Sequence, residues 1–191
     1  EDKELCTLVE SCPTKCQDEK EWYQALEYAT LYASTVTLLP THRPETNRVM
    51  FRNRRIGVGI IDYNGWKKAN SESKIIKFLR TGYDRVRNTN RHYNAEAGIP
   101  EAIRVTTMKP GGTTPKLLGR VPGCSYPMSN YQIRRMRVAM NSPLVEIFDK
   151  ANIYREKDVA SANTYVYEFP LCLNTDVKTA YEATLWEQAF N

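Results

Sequence analysis

From about residue 19 to the C-terminal end, stretches with a helical repeat alternate with short stretches rich in β-branched residues, and no other feature restricts the possible folds as much. Trp22, Leu26, Ala29, Ala33 and Val36 recur at spacings of four and three, which makes one buried face of a helix ending near Pro40. Asp18 followed by Glu21 marks its start: a carboxylate accepts from the free N–H groups of a first turn, and a second acid complements the helix dipole. Residues 54–63, RRIGVGIIDY, read as a buried strand in which Gly57 and Gly59 permit close backbone packing. The third glycine and the following helix of a dinucleotide fingerprint are not at the required positions. A second helix is expected from about residue 73 to 92, with Ile75, Ile76, Leu79, Tyr83 and Val86 on one face. After Pro100, residues 102–109, AIRVTTMK, resume as a strand.

The alternation continues to the end. YQIRRMRVAM sets Met136, Val138 and Met140 against Arg135 and Arg137, the period of a strand with two unlike faces. Ser142-Pro143 is a helix start, an N-cap with proline at the first position, and Leu144, Ile147, Phe148 and Ala151 supply the apolar side. Residues 164–171, TYVYEFPL, form another strand, and residues 177–190 a closing helix. The pattern predicts an α/β architecture with a mainly parallel sheet, open or closed into a barrel. No repeat, low-complexity segment or linker interrupts the 191 residues, which are expected to form a single unit.

A composition of 41% hydrophobic and 26% charged residues is that of a soluble globular protein. No apolar run has the length of a membrane span, and EDKELCTLVE has neither the basic region nor the apolar stretch of a secretory signal, so a cytoplasmic protein without membrane contact is expected. The net charge of +5 is mild. The clusters Arg52-Asn53-Arg54-Arg55 and Arg134-Arg135-Met136-Arg137 fit nucleotide phosphates or a solvated face, and no nucleic-acid-binding signature accompanies them. Five cysteines at irregular spacing, with no secretion signal, do not make a disulfide framework. Cys12-Pro-Thr-Lys-Cys16 resembles half of a zinc site, but no second ligand pair follows and His42 and His92 are isolated; reduced thiols and no metal are expected.

Residues 105–119, VTTMKPGGTTPKLLG, carry the expected strand into Lys-Pro-Gly-Gly-Thr-Thr and then into a short helix start. At the C-terminal end of a parallel strand, ligands collect where loops meet helix N-termini, whose free N–H groups attract anions. Gly111 and Gly112 let the backbone approach a phosphate, Thr113 and Thr114 add hydroxyl donors, and Lys109 adds a positive charge. The residue order is not that of the Walker loop. Taken alone, the motif fits an anion cradle and a plain glycine turn equally well.

Its neighbours favour the cradle. LLPTHRPETNRVMFRNRRIGVGI, then VTTMKPGGTTPKLLG, then YQIRRMRVA and TYVYEFPL…TLWEQ, in that order, resemble the catalytic subunit of adenosylcobalamin-dependent (class II) ribonucleotide reductase, in its monomeric ribonucleoside-triphosphate branch. The resemblance implies part of a ten-stranded α/β barrel around a cysteine-bearing finger loop. It also implies thiyl-radical reduction of ribonucleotides, with adenosylcobalamin as radical source, a cysteine pair supplying electrons, and a thioredoxin-like or other dithiol reductant. By the same resemblance, Cys6 is one member of the reducing pair. Lys109, Pro110, Gly111, Gly112, Thr113 and Thr114 correspond to the loop that holds substrate phosphates. Gly111 stands where serine is usual and Pro115 where serine is frequent, so backbone donors at Gly111, Gly112, Thr113 and Thr114 are expected to carry the binding. Thr7, Arg43 and the stretch Cys-Ser-Tyr-Pro after Gly123 also depart from the family pattern.

The family's Asn-Pro-Cys-x-Glu finger loop, its upstream redox cysteine and its later strands have no counterpart in these residues. The resemblance therefore implies a complementary chain or segment that carries the finger-loop cysteine. The competing expectation is a non-catalytic structural or phosphate-binding subunit derived from such a barrel.

Overall fold

The structure is a computed structural model and describes residues 2–191. Its first half is built on strand β1 (Thr7–Ser11), which pairs in parallel with β2 (Ile56–Ile60) in the register Thr7↔Ile56 to Ser11↔Ile60. The crossover between them contains helices α1 (Glu19–Val36) and α2 (Pro44–Asn53). Asp18 caps α1 as expected, its Oδ1 accepting from Glu21 N–H at 2.8 Å. Helix α2, which the sequence pattern did not mark, starts with Pro44 in its first turn and stops at Arg54, whose φ of 47° turns the chain into β2. Strand β1 was missed as well, because the five residues Thr7 to Ser11 are too short and do not alternate apolar with polar side chains.

After β2, helix α3 (Tyr63–Lys68) and the long helix α4 (Glu72–Glu96) return the chain along the sheet. Helix α4 exists where expected, but its buried stripe is Ile75, Phe78, Gly82, Val86, Asn90 and Asn94, while Ile76 and Tyr83 are each 45% exposed. Counting apolar residues mislocated this face because a glycine and two asparagines share it. Gly82 is there because a Cβ would lie 2.7 Å from the Trp22 ring. Asn90 donates to Ser34 Oγ at 2.9 Å and accepts from Ala102 N–H at 3.0 Å, tying α4 to α1 and to the following segment. Trp22, Leu26, Ala33, Ile56, Val58, Trp66, Ile75, Phe78, Val86, Ala102 and Val105 form the core, with the Trp22 and Phe78 rings stacked at 4.0 Å.

Residues 102–109 run beside β2 but do not form the regular strand expected. Only Val58↔Thr106 bridges, in parallel, supported by Val58 N–H to Val105 O at 2.9 Å and Thr107 N–H to Val58 O at 3.2 Å. The ladder stops because the chain turns away at Lys109, and Pro110 has no N–H to continue it.

The second half departs further from the expected parallel sheet. Strands β3 (Tyr131–Ala139), β4 (Arg155–Lys157) and β5 (Thr164–Cys172) form an antiparallel sheet in the order β3-β5-β4. Helix α5 (Thr114–Leu117) precedes them, and α6 (Leu144–Lys150) packs Phe148 edge-on against Tyr167 and Phe169. Long antiparallel strands were read correctly as strands, but their pairing direction is not encoded in a period-two pattern. The closing helix shrinks to α7 (Leu185–Ala189), started by a capping box between Thr184 and Glu187, and Leu185, Trp186 and Phe190 are exposed. The described residues thus form an α/β fold with a two-stranded parallel and a three-stranded antiparallel sheet.

Candidate functional site

The two expected sites lie at opposite ends of β1. Cys6 directly precedes the strand, and the 109–114 loop meets the strand at Glu10, about 13 Å further along at the rise of an extended chain. The structure does not bring Cys6 and the loop together.

Cys6 is an exposed free thiol. Beside it, Glu4 accepts from both Arg55 Nε and Asn53 Nδ2 at 2.9 Å, and the pair of donors holds its carboxyl at about 2. Desolvation by the surrounding chain pushes the Cys6 thiol up; the Arg55 guanidinium pulls it back and the Glu4 carboxylate adds to the rise. A thiol held up in this way is protonated at neutral pH.

At the other end, Glu10 is almost fully enclosed, with 2% of its side chain exposed, although it is the one acid of its strand. Lys109 Nζ donates to its Oε2 at 3.3 Å, while Oε1 has no hydrogen-bond partner. A Cβ at Gly111 would run into that Oε1 and into Pro115 Cγ. A side chain here would have to displace the Glu10 carboxylate and press on the rigid Pro115 ring, an arrangement the sequence pattern did not reveal. The one available signal was a lone carboxylate inside a short strand of otherwise uncharged residues.

The loop donors are not all free. Gly111 N–H donates to Lys109 O at 3.0 Å, so this expected phosphate donor is already engaged. The N–H groups of Gly112, Thr113 and Thr114, and the hydroxyls of Thr113 and Thr114, find no acceptor among the described residues, and Gly112, Thr113 and Thr114 are exposed. Helix α5 begins at Thr114 but is four residues long, so its dipole adds little to the local field. Donors, rather than the helix, make this loop suited to an anion.

The loop is braced from behind. Gly123, with φ 51°, lies so close to Lys109 O that a side chain would collide with it. Its own carbonyl accepts from Tyr63 N–H at 3.1 Å, and Val121 O accepts from Asp62 N–H at 2.9 Å. Asp62 also accepts from Thr14 Oγ1 at 2.7 Å and lies 3.7 Å from Arg120 Nε; burial pushes its carboxyl up, against the pull of Thr14 and Arg120. These contacts fix the turn after α5 to the end of β2.

Four arginines of the two clusters are tied into the scaffold. Arg54 donates to Thr37 O at 2.8 Å and Arg55 pairs with Glu4. Arg135 pairs with Glu156 and with Glu168, the latter at 3.2 Å, and Arg137 pairs with Asp158 at 2.9 Å. Cys12 and Cys16 flank a single 3-10 turn at Pro13–Lys15, with Cys16 Sγ 3.5 Å from Cys12 O. Among the described residues no group of three or more His, Cys, Asp or Glu side chains is placed to hold a metal ion. No helix of the described residues is long and apolar enough to cross a membrane.

No protein-family model matches the chain. It is 37% identical over 189 residues to the adenosylcobalamin-dependent ribonucleoside-triphosphate reductase of Euglena gracilis, an alignment covering 98% of this chain and 26% of the relative. A probable enzyme of the same name from Dictyostelium discoideum is 34% identical, with 98% of this chain and 25% of the relative covered. The reductase of Lactobacillus acidophilus is 27% identical over 88% of this chain. The chain spans about a quarter of the length of these curated relatives. A crystal structure of a B12-dependent (class II) ribonucleotide reductase superposes with a TM-score of 0.69 at 24% identity, covering 93% of this chain and 29% of that one. Over nearly its whole length the chain is a homologue of a quarter-length segment of the adenosylcobalamin-dependent ribonucleoside-triphosphate reductases, and it shares its fold with part of a class II ribonucleotide reductase.

Proposed function

We propose that the chain serves as one unit of a ribonucleotide reductase, contributing a section of a ten-stranded α/β barrel, and that the complete cytoplasmic enzyme reduces ribonucleoside triphosphates to deoxyribonucleotides. The observation that carries this reading is the set of unengaged donors at Gly112, Thr113 and Thr114, on a loop braced at the end of a parallel strand pair. Such donors match the terminal phosphates of a nucleotide. In this reading the 109–114 loop holds the phosphates of the ribonucleotide while the reaction takes place elsewhere in the barrel.

Cys6 supplies one thiol of the reducing pair. When the ribose 2′ hydroxyl leaves as water, Cys6 and a second cysteine from a complementary chain or segment give up two electrons and form a disulfide. A thioredoxin-like or other dithiol then reduces that disulfide by exchange. Adenosylcobalamin provides the radical in the complete enzyme, which also needs the finger-loop cysteine of the complementary segment. The apolar cavity between α1, α4 and β2 is walled by core residues such as Trp22, Leu26 and Val86 and offers that cofactor no charged anchor.

The test is reconstitution with the complementary segment, adenosylcobalamin, dithiothreitol and a ribonucleoside triphosphate. Deoxyribonucleotide formation supports the reading. Nucleotide binding at the loop with no deoxyribonucleotide formed would instead mark the chain as a non-catalytic phosphate-binding subunit.

A further inference from the structure

A buried carboxylate is an unexpected neighbour for a phosphate site, and Glu10 stands directly behind the 109–114 loop. Its side chain is 2% exposed, one oxygen meets Lys109 Nζ at 3.3 Å, and the other is aimed at Gly111 with no partner. Lys109 is the cation of the loop, and Glu10 already opposes its charge. The pair carries no net charge, so an anion arriving from solvent meets the field of a dipole, which falls off faster with distance than that of a free cation. Gly111 lies against the same carboxylate closely enough that a side chain there would collide with it.

We propose that Glu10 is a positioning residue of the loop, a clasp that neutralises Lys109 and seats Gly111, so that phosphate is held by the uncharged donors of Gly112, Thr113 and Thr114. This assignment rests on the phosphate reading of the loop and deepens it. The site selects for the geometry of a phosphate group more than for its charge. Nucleotides are then discriminated by the fit of their phosphates to three backbone N–H groups and two hydroxyls, and binding depends only weakly on salt.

The test uses inorganic triphosphate as probe, titrated calorimetrically into the full chain and its variants at low and high salt. For the unaltered chain the affinity should change less than about threefold across this range. In E10Q, which keeps the shape but frees the Lys109 charge, affinity at low salt should rise about tenfold and become salt-sensitive. E10Q/K109Q should return to the shallow salt dependence. An affinity that falls or stays constant in E10Q, or a steep salt dependence in the unaltered chain, would overturn the clasp.

A second measurement separates this inference from the reading beneath it. Thermal midpoints of E10Q, K109Q and the double variant form a cycle that reports coupling without any ligand. Non-additive midpoints with triphosphate bound as described support the clasp. Additive midpoints overturn it even if triphosphate binds. Coupled midpoints without triphosphate binding leave the contact in place but remove the phosphate reading, and the proposed role with it.

Discussion

Strand β1 has a carboxylate–cation pair at each end, and the two pairs are built differently. At the Cys6 end, Glu4 is satisfied by Arg55 and Asn53, both at 2.9 Å, and the pair anchors the strand beside an exposed thiol. At the loop end, Glu10 has one contact to Lys109 at 3.3 Å and one oxygen without a partner. A carboxylate with two good donors is a fixture, because breaking it leaves buried charge uncompensated. Glu10 is less fully bonded although it is more deeply enclosed, and in the proposed reading this end of the strand faces the phosphate loop. At the Cys6 end the thiol itself is exposed.

Cys6→Ser has the largest expected effect of any change at either end. In the reconstituted enzyme it should abolish multiple turnover while leaving the loop's affinity for triphosphate unchanged, measured as deoxyribonucleotide formed per enzyme. Sustained turnover in this variant would remove Cys6 from the reducing pair and leave β1 with one functional end.

Gly111→Ala sharpens the contrast from the loop end. The new methyl meets Glu10 Oε1 and Pro115, so a loss of about 1–3 kcal/mol in unfolding free energy is expected from denaturant titration. In a Glu10→Ala background the part due to Glu10 should disappear and only the Pro115 part remain. Equal losses in both backgrounds would show that the glycine serves Pro115 alone.

Glu4 gives the Cys6 end a signature in acid. Its carboxyl titrates at about 2 in the folded chain against 4.5 for an unperturbed glutamate, so the folded state binds the proton less readily than the unfolded one. Its stabilising contribution is complete above about pH 4.5 and is lost as the pH falls toward 2. Thermal midpoints of the unaltered chain and Glu4→Gln should therefore differ at neutral pH and converge in that window. A constant difference would mean that the ion pair with Arg55 does not stabilise the fold.

The smallest effect concerns the thiol itself. Arg55→Met removes the cation that favours the Cys6 thiolate, so alkylation of Cys6 near pH 8 should slow by about two- to threefold. Faster alkylation would show that the arginine acts by shielding the thiol rather than through its charge.

Much of this was legible in the sequence where one physical signal dominated. Asp18 and Glu21 fixed the start of α1, a β-branched run located β2, and the two-residue alternation of Met136, Val138 and Met140 with Arg135 and Arg137 located β3. Polar or non-aliphatic residues in buried positions defeated the pattern. Gly82, Asn90 and Asn94 rotate the buried face of α4 away from Ile76 and Tyr83, and only the Trp22 ring and the carbonyl and amide partners explain why. The same holds for the candidate site. Lys109, Gly112, Thr113 and Thr114 are visible as an anion motif, but Glu10 lies 99 residues away in sequence and enters the site only through the parallel pairing of β1 with β2. The engagement of Gly111 N–H by Lys109 O likewise depends on the local turn, which residue types alone do not specify.

The most direct test follows the backbone amide resonances of the loop while a ribonucleoside triphosphate is added. Saturable shifts at Gly112, Thr113 and Thr114, with Gly111 moving least because its N–H already serves Lys109 O, are the expected result. Amides at these three positions that stay still up to saturation, while the nucleotide binds elsewhere on the chain, would contradict the assignment of this loop as the phosphate site.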